Sequence, residues 1–398
     1  MERSFFSNSK FASLPFLALF LCVQFMNPLF TSGSAFAADV YAVAPEVGVV
    51  EKIDTAGQKA WGYGQPDEQV VGRRLVFNLY FTDIRENSHV GFANDAPFSA
   101  AARARLREVL IYMGETLNEW GTLDVLVKRS EMDGGGFSAY AGTYYTASAG
   151  FQEGAALYRL RHWAKQSPGV PDMFLMVDFG NIYNFSTDAP GPFQEDFASL
   201  LLRVLTHGLG FVSLIGETGE SIIEPNVYSA WDRHLVRGDG LALIAGRAPA
   251  FQGQAEDLTG GDLWFNGSRA FRLYGQGVKP RVHAPSRFRA GESLSHWAPG
   301  AIEGGAVMEA VTPLGSVRRE WSAVDIGALA DIGYMRISDD ITGGWEGGMG
   351  CAGNGAMDAW TSFQNALHEI LLTLGLFMVM AGRRFLNAGR KSKIGVAS

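Results

Sequence analysis

The chain has 398 residues, 47% of them hydrophobic and 19% charged, with a net charge of −8. That length suits one large domain or two ordinary ones, and the balance is enough to bury a core, which excludes global disorder. The acidity argues against nucleic acid as a partner, and the 49 glycines imply many turns.

The N-terminus reads as an export signal. Arg3 and Lys10 give a positive start, and Leu14 to Phe30 is apolar apart from Pro15, Gln24, Asn27 and Pro28. Ala35-Phe36-Ala37 then supplies a small-x-small cleavage pattern, so residues 1–37 are expected to be removed. An uncleaved membrane anchor is the alternative. Cys22 falls inside the signal, leaving Cys351 as the lone cysteine and no internal disulfide.

Residues 38–72 read as a loose N-terminal lead, and 73–336 as one domain. Arg73 to Phe81 has the β-branched and aromatic character of a strand. In Ala100 to Trp120, Leu106, Val109, Leu110, Met113 and Leu117 recur at helical spacing, which predicts an amphipathic helix. Leu123 to Val127 is a second strand. The glycine-rich, aromatic stretch from Gly134 to Gly150 reads as loop or irregular edge, since it lacks the lysine of a phosphate-binding loop. Pro171 to Gly180 is a buried strand. At its end Asp178 is either a functional carboxylate or, more commonly, a turn former. A helix is expected from about Gln194 to His207, stopped by Gly208 and Gly210.

Beyond the domain, residues 337–360 form a glycine-rich linker around Cys351. Residues 361–398 follow as a tail, apolar from Ala366 to Ala381 and then basic at Arg383, Arg384, Arg390, Lys391 and Lys393. The apolar run falls short of the ~20 residues of a comfortable membrane span, and the basic end favours a cytoplasmic C-terminus. The Gly350-Cys351-Ala352-Gly353-Asn354 segment resembles the Synergist-type bacterial sorting domain. That resemblance implies processing near Cys351 and transient or lasting attachment to the cell envelope; a plain single-span anchor is the alternative.

The segment His207-Gly208-Leu209-Gly210-Phe211 resembles the close of a zinc-protease helix. Downstream, the segments around His296 (Ser293-Leu294-Ser295-His296), Met308 and Asp325-Ile326-Gly327-Ala328-Leu329 follow in the order seen in secreted bacterial metallopeptidases of metzincin-like type. The resemblance implies an α+β, zincin-like domain with a mixed sheet, a long helix in its first half and an active-site-type helix. It makes Met308 the floor of a Met-turn. An active helix carries His-Glu-x-x-His, because residues four apart share one face and two imidazoles can grip one Zn²⁺. Here Arg203 stands at the first histidine position, Val204 at the glutamate position and Ser213 at the third-ligand position. Arg203 is permanently charged and is expected to repel a metal, pairing instead with Asp196. Val204 cannot accept a proton, so the motif is degenerate and no catalytic residue is assigned.

The histidines outside signal and tail are His89, His162, His207, His234, His283 and His296. Of these, His207 and His296 are the candidate metal ligands, with Glu292 or Glu309 as the carboxylate and zinc as the ion. The bland reading makes His207 a packing residue, and His162 and His234 surface or helix-packing residues. The sequence therefore predicts an exported, envelope-anchored pseudopeptidase that binds a peptide, a protein or a cell-surface polymer. The alternatives are an active zinc endopeptidase with a non-standard ligand set, and an adhesin-like or carbohydrate-binding surface protein.

Overall fold

The apolar runs assemble into a seven-stranded mixed sheet, seen in a computed structural model that describes residues 39–53, 64–81, 98–130 and 137–334. The strands are β1 (Val40–Ala44), β2 (Val49–Ile53), β3 (Glu68–Gly72), β4 (Leu75–Phe81), β5 (Gly121–Ser130), β6 (Ala139–Thr146) and, after the short β7 (Gly150–Gln152), β8 (Met173–Asp178). Their order across the sheet is β2-β1-β6-β8-β5-β4-β3. Strands β4, β5 and β8 run parallel, while β6 is antiparallel to both β8 and β1.

Helix α1 (Ala100–Leu117) is the crossover between the parallel strands β4 and β5, as such a connection requires. Ser99 caps its start by accepting from Ala102 N, and its end comes three residues earlier than the sequence suggests. Asn118 there takes a left-handed conformation (φ 52°) that breaks the helix. Leu106, Leu110, Met113 and Leu117 are all fully buried, the face that the spacing predicts. Helix α2 (Ala155–His162) precedes β8, and helix α3 (Phe197–Gly208) follows it and packs on β6, β8 and α1. The remaining helices, α4 (Ser268–Tyr274) and α5 (Ala323–Ile332), pack on one another.

Two readings of the sequence are corrected. The stretch expected as loop or edge contains β6, an interior strand of the sheet. Its Tyr140, Thr143, Tyr144 and Tyr145 favour the pleated, covered environment strongly enough to override the flanking glycines. The segment expected as a loose lead supplies β1, β2 and β3, and β1 is buried along its whole length. The export signal, the Cys351 linker and the apolar tail lie outside the described residues. Among the described residues, no helix is long and apolar enough to cross a membrane.

Helix α3 begins at Phe197 and not at Gln194, because Glu195–Asp196 pair with Tyr183–Asn184 as a short parallel ribbon. Asp196 then caps the helix, its Oδ2 accepting from Ser199 N (2.9 Å) and Ser199 Oγ (2.6 Å). The expected Asp196–Arg203 pair does not form. Asp196 takes Arg319 in a forked contact instead, with Nε 3.0 Å from Oδ2. At the other end Gly208 lets the helix settle on the sheet: a Cβ there would come within 2.4 Å of Met173 Cε. Gly210, at φ +96°, turns the chain away.

Burial pushes the Asp196 carboxyl up, but the Arg319 and Ser199 hydrogen bonds outweigh it and hold the group below the usual carboxylate range. A depressed value means that the pair stabilises the fold above the unfolded value of about 3.9, and that this contribution disappears as pH falls through the folded value. Asp196→Asn is expected to cost about 1–3 kcal/mol at pH 7. It should also flatten the loss of stability below about pH 4, read from urea unfolding at a series of pH values.

Candidate metal centre

His207 sits in the last turn of α3, where the helix end meets β6. Its ring is fully buried, and Nδ1–H donates to the carbonyl of Phe211 at 2.7 Å. That bond closes over the Gly208–Gly210 turn, so the residues that stop the helix also orient the imidazole. With its proton held on Nδ1, the ring turns the Nε2 lone pair inward.

His296 is presented by the loop 291–297 in the same way. Its Nδ1–H donates to Glu292 O at 2.9 Å, and its Nε2 lies 3.1 Å from His207 Nε2. The loop is held by backbone bonds on both sides: His283 N donates to His296 O and Trp297 N to Met308 O, each at 2.8 Å. Asp325, buried at the start of α5, ties this layer together. It accepts from Trp297 Nε1 (2.8 Å) and Val307 N (3.0 Å) while forming a capping box with Ser322. Met308 is fully buried in the main core, and its backbone carbonyl accepts from Trp297 N.

The third group is Glu46, from the single 3-10 turn Pro45–Val47 between β1 and β2. Its Oε1 lies 3.2 Å from His207 Nε2 and 3.6 Å from His296 Nε2, and it accepts from Arg203 Nε at 2.7 Å. Sequence reasoning missed Glu46. The available signal was the pair of β-branched runs flanking Pro45-Glu46 and Gly48, which reads as a hairpin. The carboxylates proposed in its place are engaged elsewhere, Glu292 with Arg289 (3.1 Å) and Glu309 with Arg318 (2.7 Å).

Arg203, one turn before His207, extends from the helix into this centre. Besides Glu46, its guanidinium donates to Glu309 O, to Thr312 Oγ1 (3.3 Å) and to Ala310 O (3.4 Å). It thus joins α3, the β1–β2 turn and the chain after Met308. Val204 is buried in the core, and Ser213 turns away to bond Ile215 N (3.2 Å). Asp178 is a turn former, its Oδ1 accepting Gly180 N at 2.9 Å. His162 stacks on Tyr158 and meets Glu153, while His234 packs on Phe265 with Nε2–H donating to Asp331 O at 3.2 Å. His89 and Cys351 lie outside the described residues.

The electrostatics follow from this packing. Burial would raise the Glu46 carboxyl, but the Arg203 charge, and then the hydrogen bond from an imidazole that carries a proton on Nε2, hold it well below its ordinary value. Burial, then the Arg203 charge, lowers His296 to about 4, so its ring is neutral at pH 7. Two Nε2 lone pairs 3.1 Å apart repel unless a proton or a cation lies between them.

Glu46, His207 and His296 form a group that could hold a metal ion. The donors are 3.1, 3.2 and 3.6 Å apart. Ligands about 2.0–2.1 Å from a tetrahedral ion are separated by about 3.3 Å, so the triangle suits one face of such a site. The Nδ1–carbonyl bonds supply the outer support that metal-bound imidazoles require. Opposing this, Arg203 places a fixed positive charge on the same carboxylate oxygen.

Comparison of the chain with protein-family models, curated proteins and solved structures returns no match. The geometry alone therefore carries the functional reading. If the triangle binds a divalent ion, His207→Ala or Glu46→Gln should remove it from the chain, measured by elemental analysis after dialysis. Arg203→Met should tighten binding by about tenfold or more, because it deletes a like charge at contact distance.

Proposed function

We propose that this chain is an exported, envelope-tethered module on a zincin-like scaffold that binds and does not hydrolyse. The observation that carries the reading is the seat of Glu46. The chain's own carboxylate, ion-paired to Arg203, lies against both imidazoles of the His207–His296 pair.

Other features support the same reading. The mixed sheet, the long helix α1 in the first half of the domain and the helix α3 that ends at His207 support this reading. The antiparallel strand beside the site, β6, is already paired with β1 from Val40↔Thr146 to Val43↔Thr143, so no extended substrate can add there while β1 is in place. Val204 cannot serve as a general base, and a missing general base typically costs about 10²–10⁴ in rate. Zinc is among the ions that two imidazoles and one carboxylate suit. Glu46, His207 and His296 would hold it. The bound ion would supply positive charge that fastens the β1–β2 turn to α3 and to the 291–297 loop.

One observation favours a second reading, an active zinc endopeptidase. Two imidazoles and a carboxylate are also a catalytic ligand set, which leaves a fourth position for water.

Zinc content and casein cleavage, each measured on the purified chain with and without chelator, separate the two. The expected outcome is no chelator-sensitive cleavage at any zinc content. Stoichiometric zinc together with such cleavage would overturn the non-hydrolytic reading. The double change Arg203→His with Val204→Glu is expected to raise zinc affinity, read by competition with a chromogenic chelator.

A further inference from the structure

Strands β1 and β2 are held unlike the rest of the sheet. They precede β3 in the chain, yet they lie at the opposite edge from it, so no tight turn joins them to β3. β2 joins the sheet only through β1. Val40, Ala42 and Ala44 of β1 join an apolar cluster on one face of the central strands, with Tyr80, Leu126, Tyr140 and Phe174, while Tyr41 and Val43 join a smaller one with Tyr145, Val212 and Leu214; both are separate from the main core. An edge pair seated outside the main core can open by local unfolding while that core stays closed.

The surface that receives them has the form of a strand-binding groove. On one side β6 offers its backbone, and on the other residues 290–291 form a wall. Side chains are missing where the incoming carbonyls approach most closely: a Cβ on Gly142 would lie 1.9 Å from Val43 O, and one on Gly291 would lie 2.0 Å from Pro45 O. At the end of the groove stand Arg203, His207 and His296. Arg203 also donates to Glu309 O, Ala310 O and Thr312, groups outside the β1–β2 turn, so its charge is oriented toward a carboxylate by contacts other than Glu46.

We infer that β6, the 290–291 wall and the Arg203–His207–His296 cluster form a binding groove for an extended peptide that carries a carboxylate, and that residues 40–53 are its intramolecular occupant. The inference deepens the binding-module reading, on which it rests, by naming the chemistry of the partner. Backbone pairing along β6 accepts any extended segment, and the cluster at its end selects for the acid. The occupant in cis competes with a partner, so binding in trans requires the arm to leave first.

The test uses the full chain, its Glu46→Ala variant and a fluorescein-labelled peptide of residues 39–53. In the variant, amide hydrogen exchange in β1, β2 and β6 is expected to quicken by about tenfold or more, with α1, β4 and β5 unchanged. The labelled peptide should bind the variant about tenfold more tightly than it binds the unaltered chain. It should also bind about tenfold more tightly than the same peptide carrying Glu46→Gln, a difference expected for loss of a charged hydrogen bond. Adding Val40→Cys with Thr146→Cys to the variant should block the peptide when oxidised and readmit it when reduced. Faster exchange throughout the domain would make the arm an integral part of the core and overturn the inference. So would equal binding of the two peptides, or no binding to the variant. Casein cleavage by the chain would sink the non-hydrolytic reading and leave the peptide measurement as a separate result. A chain that does not cleave and ignores the peptide would keep that reading and lose this one.

Discussion

The architecture around the centre depends on one carboxylate held by three partners. Glu46 lies between Arg203, His207 and His296, and each comes from a different part of the chain. Bringing a carboxylate and two imidazoles out of water is costly unless every polar atom finds a partner. Here both Nδ1 atoms are spoken for by backbone carbonyls, and the guanidinium spreads its remaining bonds over the chain after Met308. The two facing Nε2 atoms need a proton or a cation between them. That is why the centre could hold a metal ion, with the Arg203 charge opposing it.

The layers around it convert that local demand into a rigid frame. The glycines after His207 stop the helix and turn the chain so that the Phe211 carbonyl orients the ring. Asp325 holds Trp297 and Val307 together, fixing the loop that carries His296 against the Met308 segment. Asp196 with Arg319 anchors the opposite end of α3. The helix that bears Arg203 and His207 is therefore pinned at both ends, while the turn that bears Glu46 is held by strand pairing and by the centre itself. The rigid side of the site belongs to the main core, and the detachable side is the arm.

Much of this was legible in the sequence where one chemical signal dominated. The apolar spacing of Leu106, Val109, Leu110, Met113 and Leu117 gave α1 its buried face, and the continuous apolar run gave β8. The same logic picked out His207 and His296, which the structure brings to 3.1 Å. It failed for β6, where glycines masked the strand preference of the tyrosines. It failed again for the carboxylate: Glu292 and Glu309 are near in sequence to the right loops, yet Arg289 and Arg318 claim them.

The sequence by itself determined the strongly patterned helix and strands and singled out the two histidines, because each rests on local periodicity or on what a single side chain can do. Only the tertiary structure decided which carboxylate meets the histidines, since that depends on a strand from the start of the chain pairing with one a hundred residues later. Register along β1 and β6 places the Pro45–Val47 turn over the end of α3, and no local pattern encodes that meeting. Long-range backbone pairing, not side-chain identity, made Glu46 part of the site.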